Sequence, residues 1–95
     1  MNTPEKEMII CSAIWYPDLE LVRNDIPLTH FLPKNLDKGI VFCGHRHAQC
    51  MYSMVSLTGK RTCEVGEETQ GFLTNLNRFV DRIEGAKIAL ESGQI

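Results

Sequence analysis

The stretch Gly71-Phe-Leu-Thr-Asn-Leu-Asn-Arg-Phe-Val-Asp-Arg-Ile-Glu-Gly-Ala-Lys-Ile-Ala-Leu-Glu-Ser-Gly93 changes period halfway along, and that change decides the fold. Residues 71–74 and 78–80 are short apolar runs joined by Asn75-Leu76-Asn77. Asparagine at either end of a three-residue connection tolerates the positive φ of a tight turn, so the segment predicts a small hairpin. Asp81 and Glu84 then stand three residues apart, in the relation of a capping box, before an apolar stripe at Ile83, Ala86 or Lys87, and Leu90. The spacing predicts a helix over residues 82–92, with Gly93 just past its end.

Upstream, Gly39-Ile-Val-Phe-Cys-Gly44 is an apolar run bounded by glycines, the signature of a central strand. Met51, Met54, Val55 and Thr58 then fall at i, i+3, i+4 and i+7, which predicts a helix opening at Arg46 or His47 and ending near Gly59. A Glu-rich turn over residues 64–70 separates it from the hairpin. Residues 7–16, rich in Ile and aromatics, read as a buried strand stopped by Pro17. Residues 18–39 hold Pro27 and Pro33 and show no clean period, which suggests an ordered connection with one helical turn or short strand, and residues 1–6 read as a polar tail. The sum is an α+β fold, a small antiparallel sheet packed with two helices, forming one domain over residues 1–95.

Composition sets the bounds. With 95 residues, 43% hydrophobic and 23% charged, the chain is a single globular domain. A chain this short buries only about 60 to 65% of its unfolded surface, so self-association is expected to support its core. A net charge of −2 lacks the basic excess needed to coat a nucleic acid polymer. The charge is nonetheless uneven. Residues 1–37 carry six acids and three bases, residues 38–63 four bases and no acid, and residues 64–95 six acids and three bases. A local positive field in the middle third suits a small anion. The four cysteines form no CxxC pair, no secretory leader is recognisable, and the longest apolar run, residues 8–16, is far short of the roughly 20 residues of a membrane span. These features point to a cytoplasmic protein with reduced thiols and no membrane partner.

Chemistry concentrates in two places. In Cys43-Gly44-His45-Arg46-His47-Ala48-Gln49-Cys50, a strand gives way to a helix. The free N–H groups and dipole of a helix start favour an anion, and Arg46 with His47 adds directed donors. Two other readings stand beside this one: Arg46 solvated and His47 at the helix start, or Cys43, His45, His47 and Cys50 as four zinc ligands. The second place is the hairpin and helix start. Arg82, in the first turn of its helix, opposes the helix dipole, which invites an anion that it would share with Arg78. Phe72 and Phe79 offer flat faces for a base, or are plain core residues. A Cys-His nucleophile pair among Cys43, Cys50 or Cys63 and His45 or His47 is conceivable. No GxSxG, HExxH, P-loop or dinucleotide fingerprint is present, and no carboxylate pair stands out, so the sequence does not favour an enzyme.

The C-terminal third follows the pattern GFxTxxxRFVxRxExxxIAxxxGQ, and residues 39–95 as a whole resemble the phage anti-Thoeris sponge family. The resemblance implies an oligomeric protein, dimer-based and up to a hexamer, that needs no cofactor and performs no chemistry. It would trap a cyclic nucleotide-derived signal, a cyclic ADP-ribose isomer or in some members a cyclic oligonucleotide, between protomers, and so block activation of a defence effector. On this resemblance Arg78 and Arg82 become pyrophosphate contacts, Phe72 and Thr74 lie on the strand beside them, Arg46 and His47 match an upstream Arg-His pair, and Gly93, Gln94 and Ile95 match the closing motif. The departures from the family pattern are residues 17–38, which do not align, and the extra Gly44-His45 before Arg46. The alternatives are an inhibitor that contacts a host defence protein through the acidic segments 1–37 and 64–68, and a small metal-binding domain.

Overall fold

A computed structural model describes residues 5–23 and 25–95. Four strands, β1 (Ile9–Tyr16), β2 (Ile40–Gly44), β3 (Thr69–Thr74) and β4 (Phe79–Asp81), form one antiparallel sheet in the order β2-β1-β3-β4. Helix α1 (His47–Thr58) follows β2, and α2 (Arg82–Glu91) follows β4. The architecture is the expected α+β one, with β3 starting two residues earlier than the periodicity suggests.

Side-chain alternation divides the sheet into two faces. Ser12, Ile14 and Tyr16 of β1 share a face with Phe42 and Ile40 of β2 and with Phe72 of β3, as the register requires. Helix α1 packs on this face, its Cys50 and Met54 fully buried against Ile14 and Tyr16, with Leu19 and Val65 closing the cluster. Met51 and Val55 pack at its margin, so the predicted spacing is the buried face. The helix ends at Gly59 in the left-handed conformation, φ 70°, where the N–H of Gly59 donates to the Val55 carbonyl.

Helix α2 lies on the same face and is capped as expected, Asp81 Oδ1 accepting from the Glu84 N–H at 2.8 Å. Its buried side differs from expectation. Ile83 and Leu90 are 77% and 65% exposed, whereas Gly85 and Ile88 face the sheet. The reason is the Phe72 ring, which fills the space above Gly85, so that the helix approaches through its smallest residue.

The opposite face is covered by the aperiodic connection. Leu32 is buried there, Trp15 Nε1 donates to the Lys38 carbonyl at 2.9 Å, and the Trp15 and Phe79 rings meet at 6.2 Å. Asn35 acts as a surrogate strand along β4, donating to the Phe79 carbonyl at 2.7 Å and accepting from the Phe79 N–H at 2.9 Å. The helical turn anticipated in this segment is the 3-10 turn Leu28–His30. In the β3-β4 turn it is Asn77 that takes the positive φ, 59°. Asn75 instead receives the N–H of Met8 at 2.7 Å and donates to Glu5 and to the Lys6 carbonyl. Of the tail expected at residues 1–6, residues 1–4 lie outside the described residues, while Glu5 and Lys6 are held by these bonds.

Candidate functional site

Phe72 is the centre of the candidate site because it stands where the two helices converge on the sheet. On one side His47, the first residue of α1, meets it edge-on with ring centroids 5.4 Å apart. His47 Nε2 lies 2.8 Å from the Gly71 carbonyl, and since a carbonyl only accepts, that nitrogen carries the proton. On the other side Phe72 lies over Gly85 of α2.

Beside Phe72 a cleft of about 440 Å³ opens between α2 and the start of β1, lined by Ile9, Phe72, Arg82, Gly85, Ala86, Ala89, Gln94 and Ile95. Its wall is fixed by Gln94, whose amide donates to the Ile9 carbonyl and accepts from the Ile9 N–H, both at 2.9 Å. This double bond pattern falls where the β1-β3 register shifts, so Gln94 satisfies backbone groups that the ladder leaves over. Arg82 is exposed, reaches this cleft and makes no ion pair among the described residues. Its position in the first turn sets a cation at the positive end of a helix whose dipole the Asp81 cap and Glu84 already answer.

Arg78 does not share the cleft. Its guanidinium holds Glu7 through two bonds, 2.8 Å from Nε and 3.0 Å from Nη2, and Nη2 also holds Glu84 at 2.7 Å. The hydrogen bond from Arg78 draws the Glu7 carboxyl below its ordinary value, Thr74 adding to the effect against the opposing influence of burial. The same two carboxylates raise the Arg78 pKa. Thr74, at 1% exposure, donates to Glu7 at 2.8 Å and accepts from the Leu76 N–H. The expected convergence of Arg78, Arg82, Phe72 and Thr74 therefore separates into two groups. Phe72 and Arg82 line the cleft, while Thr74 and Arg78 clamp Glu7 and tie the N-terminal end of β1 to the hairpin.

Arg46 sits exposed at the N-cap of α1, without an ion pair among the described residues. The Gln49 side chain turns back to accept from the N–H groups of His45 at 2.7 Å and Arg46 at 3.2 Å, so two backbone donors of the proposed anion seat are already used. The zinc reading fails on geometry: among the described residues no group of three or more His, Cys, Asp or Glu is placed to hold a metal. His47 turns to the Gly71 carbonyl, and Cys50 is buried with its sulfur 3.5 Å from the Ser12 and Arg46 carbonyls. Burial pushes the Cys50 thiol above its ordinary value, the opposite of what an activated nucleophile needs.

Three contributors escaped the sequence reading. Glu7 gave no signal, since its partner Arg78 lies 71 positions away. Gly85 is a single glycine inside a helical run. Gln94 was visible only as part of the closing motif.

A family model described as Phage T4 y16D protein matches residues 8–95, and the chain belongs to that family. No curated protein and no solved structure matches it. Among the described residues, no helix is long and apolar enough to cross a membrane.

Proposed function

We propose that this phage-family protein binds and sequesters a cyclic nucleotide-type immune signal, a cyclic ADP-ribose isomer or a cyclic oligonucleotide, without cleaving it, and thereby keeps a defence effector inactive. The observation that carries the reading is Arg82. Among the described residues it is a cation without an ion partner, at the start of a helix, on the rim of a cleft whose floor includes the flat Phe72 ring. A phosphate there answers the guanidinium, and a base has an aromatic surface to stack on. Among the described residues, the polar side chains lining the cleft are Arg82 and Gln94, a cation and a neutral amide. That suits retention of a ligand rather than its hydrolysis. Arg46, on the other side of Phe72, is the further donor in this reading, His47 orienting the Phe72 ring beside it, and homo-oligomers in the host cytoplasm are its working form.

The test is calorimetric titration of the purified protein with cyclic ADP-ribose isomers and a panel of cyclic di- and trinucleotides, followed by mass spectrometry of the heat-denatured complex. Tight binding of one class with intact release is expected. No binding across the panel, or recovery of hydrolysed product alone, overturns the proposal.

A further inference from the structure

The two edges of the sheet are treated differently by the chain. The β4 edge is short and closed by the paired bonds of Asn35. The β2 edge, Ile40–Gly44, has no such cover: among the described residues no backbone hydrogen bond reaches it from any element but β1. It also has no charged residue, no proline and no bulge, three devices that commonly blunt an edge. Next to it runs a groove between the strand and one flank of α1, formed by Cys43, Gly44, Tyr52, Ser53, Ser56 and Leu57. Helix α1 carries no Asp, Glu, Lys or Arg along its 12 residues, although Tyr52 is 70% and Leu57 77% exposed. A solvated helix flank is ordinarily charged, and this one is not.

We propose that the β2 edge and the α1 flank form a two-fold interface with a second copy of this chain, β2 pairing antiparallel with its counterpart to make a continuous eight-stranded sheet. Geometry selects a second copy over a foreign peptide. Helix α1 packs across β1 and β2. With strands about 4.8 Å apart, two such helices related by an axis between the paired edges stand about 10 Å apart, the distance at which helices pack. Ser53 and Ser56 keep the flank low enough for that approach, and Tyr52 and Leu57 become covered. A lone extended peptide would satisfy the strand edge and leave both of those side chains in water. A two-fold axis also lets one uncharged patch be its own complement.

This inference names the surface for the oligomer assumed in the preceding section and does not depend on the ligand. Sedimentation equilibrium of the full chain at micromolar concentrations should show a dimer. Tyr52→Lys/Leu57→Lys, both exposed positions, should give a monomer with unchanged far-ultraviolet circular dichroism, while Ile83→Lys/Leu90→Lys on the exposed side of α2 should remain a dimer. On the unaltered protein, the amides of residues 40–44 that point away from β1 should exchange roughly tenfold or more slower than expected for an open edge. A monomeric native chain, a Tyr52→Lys/Leu57→Lys variant that stays dimeric, or fast exchange at every outward amide of β2 overturns the interface. Nucleotide titration of the same samples reports separately on the ligand reading.

Discussion

Substituting Gly85 by alanine puts two opposed effects in one methyl group. In the interior of a helix alanine is favoured over glycine by about 0.8 to 1.0 kcal/mol. A Cβ at position 85, however, would lie 2.5 Å from Phe72 Cδ2 and 3.0 Å from Cε2. Carbon atoms settle at about 3.5 to 4.0 Å, so the ring edge must retreat by about 1 Å. It has little room to do so, because the His47 ring meets it from the α1 side and is itself bonded to the Gly71 carbonyl. Overpacking of this kind costs about 1 to 3 kcal/mol, which outweighs the gain in propensity and leaves a net loss of about 1 kcal/mol. For a domain of this size that lowers the melting temperature by about 4 to 8 °C. The assay is a thermal melt of the native protein and Gly85→Ala, repeated in a Phe72→Ala background. With the ring gone, the same substitution should stabilise by about 0.8 to 1.0 kcal/mol. A rise in melting temperature in the native background, or the same sign in both, would refute the account of how α2 seats on the sheet.

The Glu7 clamp makes a pH prediction. Because Arg78 draws the Glu7 pKa below its ordinary 4.5, the clamp contributes stability above that pH and loses it as the pH falls through the lowered value. Denaturant unfolding of native protein and Glu7→Gln should therefore show a stability gap at neutral pH that narrows as the pH falls below the ordinary carboxylate range, and a constant gap would sink the assignment. Arg78→Ala should cost about 1 kcal/mol, modest because the groups remain partly solvated, whereas Arg82→Ala should change stability by less than about 0.5 kcal/mol; equal losses in melts of the two variants would contradict their separate roles. Tyr16 is fully buried, its hydroxyl meets no partner at hydrogen-bond geometry among the described residues, and burial pushes its pKa up to about 12. Tyr16→Phe should consequently stabilise the protein by about 1 kcal/mol, and a destabilised variant would show that the hydroxyl is bonded after all.

What the sequence disclosed follows from the range over which each signal acts. Strands β1 and β2 and helix α1 are written in runs of neighbouring residues, and their limits were legible within two residues. Asp81 likewise caps the residue three ahead of it. The face of α2 was not legible, because periodicity weighs Ile83 and Leu90 as apolar and gives Gly85 no weight, although the helix approaches the sheet through the glycine. Residues 18–38 show no period because they cross a sheet face as irregular chain, contributing single residues such as Leu32 and Asn35 rather than a stripe. The site suffered most from distance. Arg78 and Arg82 look equivalent in the chain, and only the arrival of β1, carrying Glu7 to the hairpin, distinguishes them.

That distinction orders the contributions to binding. An anion that recruits Arg78 must displace Glu7 and Glu84, leaving a partly buried carboxylate beside Thr74 without its cation. An anion at Arg82 breaks no ion pair among the described residues. The full interaction with Arg82 is available to the complex, whereas the interaction with Arg78 is offset by the pairs it breaks. Arg82→Ala should thus reduce affinity for the bound nucleotide by about 2 kcal/mol or more, and Arg78→Ala by clearly less, both read by calorimetry at neutral pH. The reverse order would mean that ligand binding opens the Glu7 clamp, and the cleft beside Phe72 would then extend to the hairpin in the liganded state.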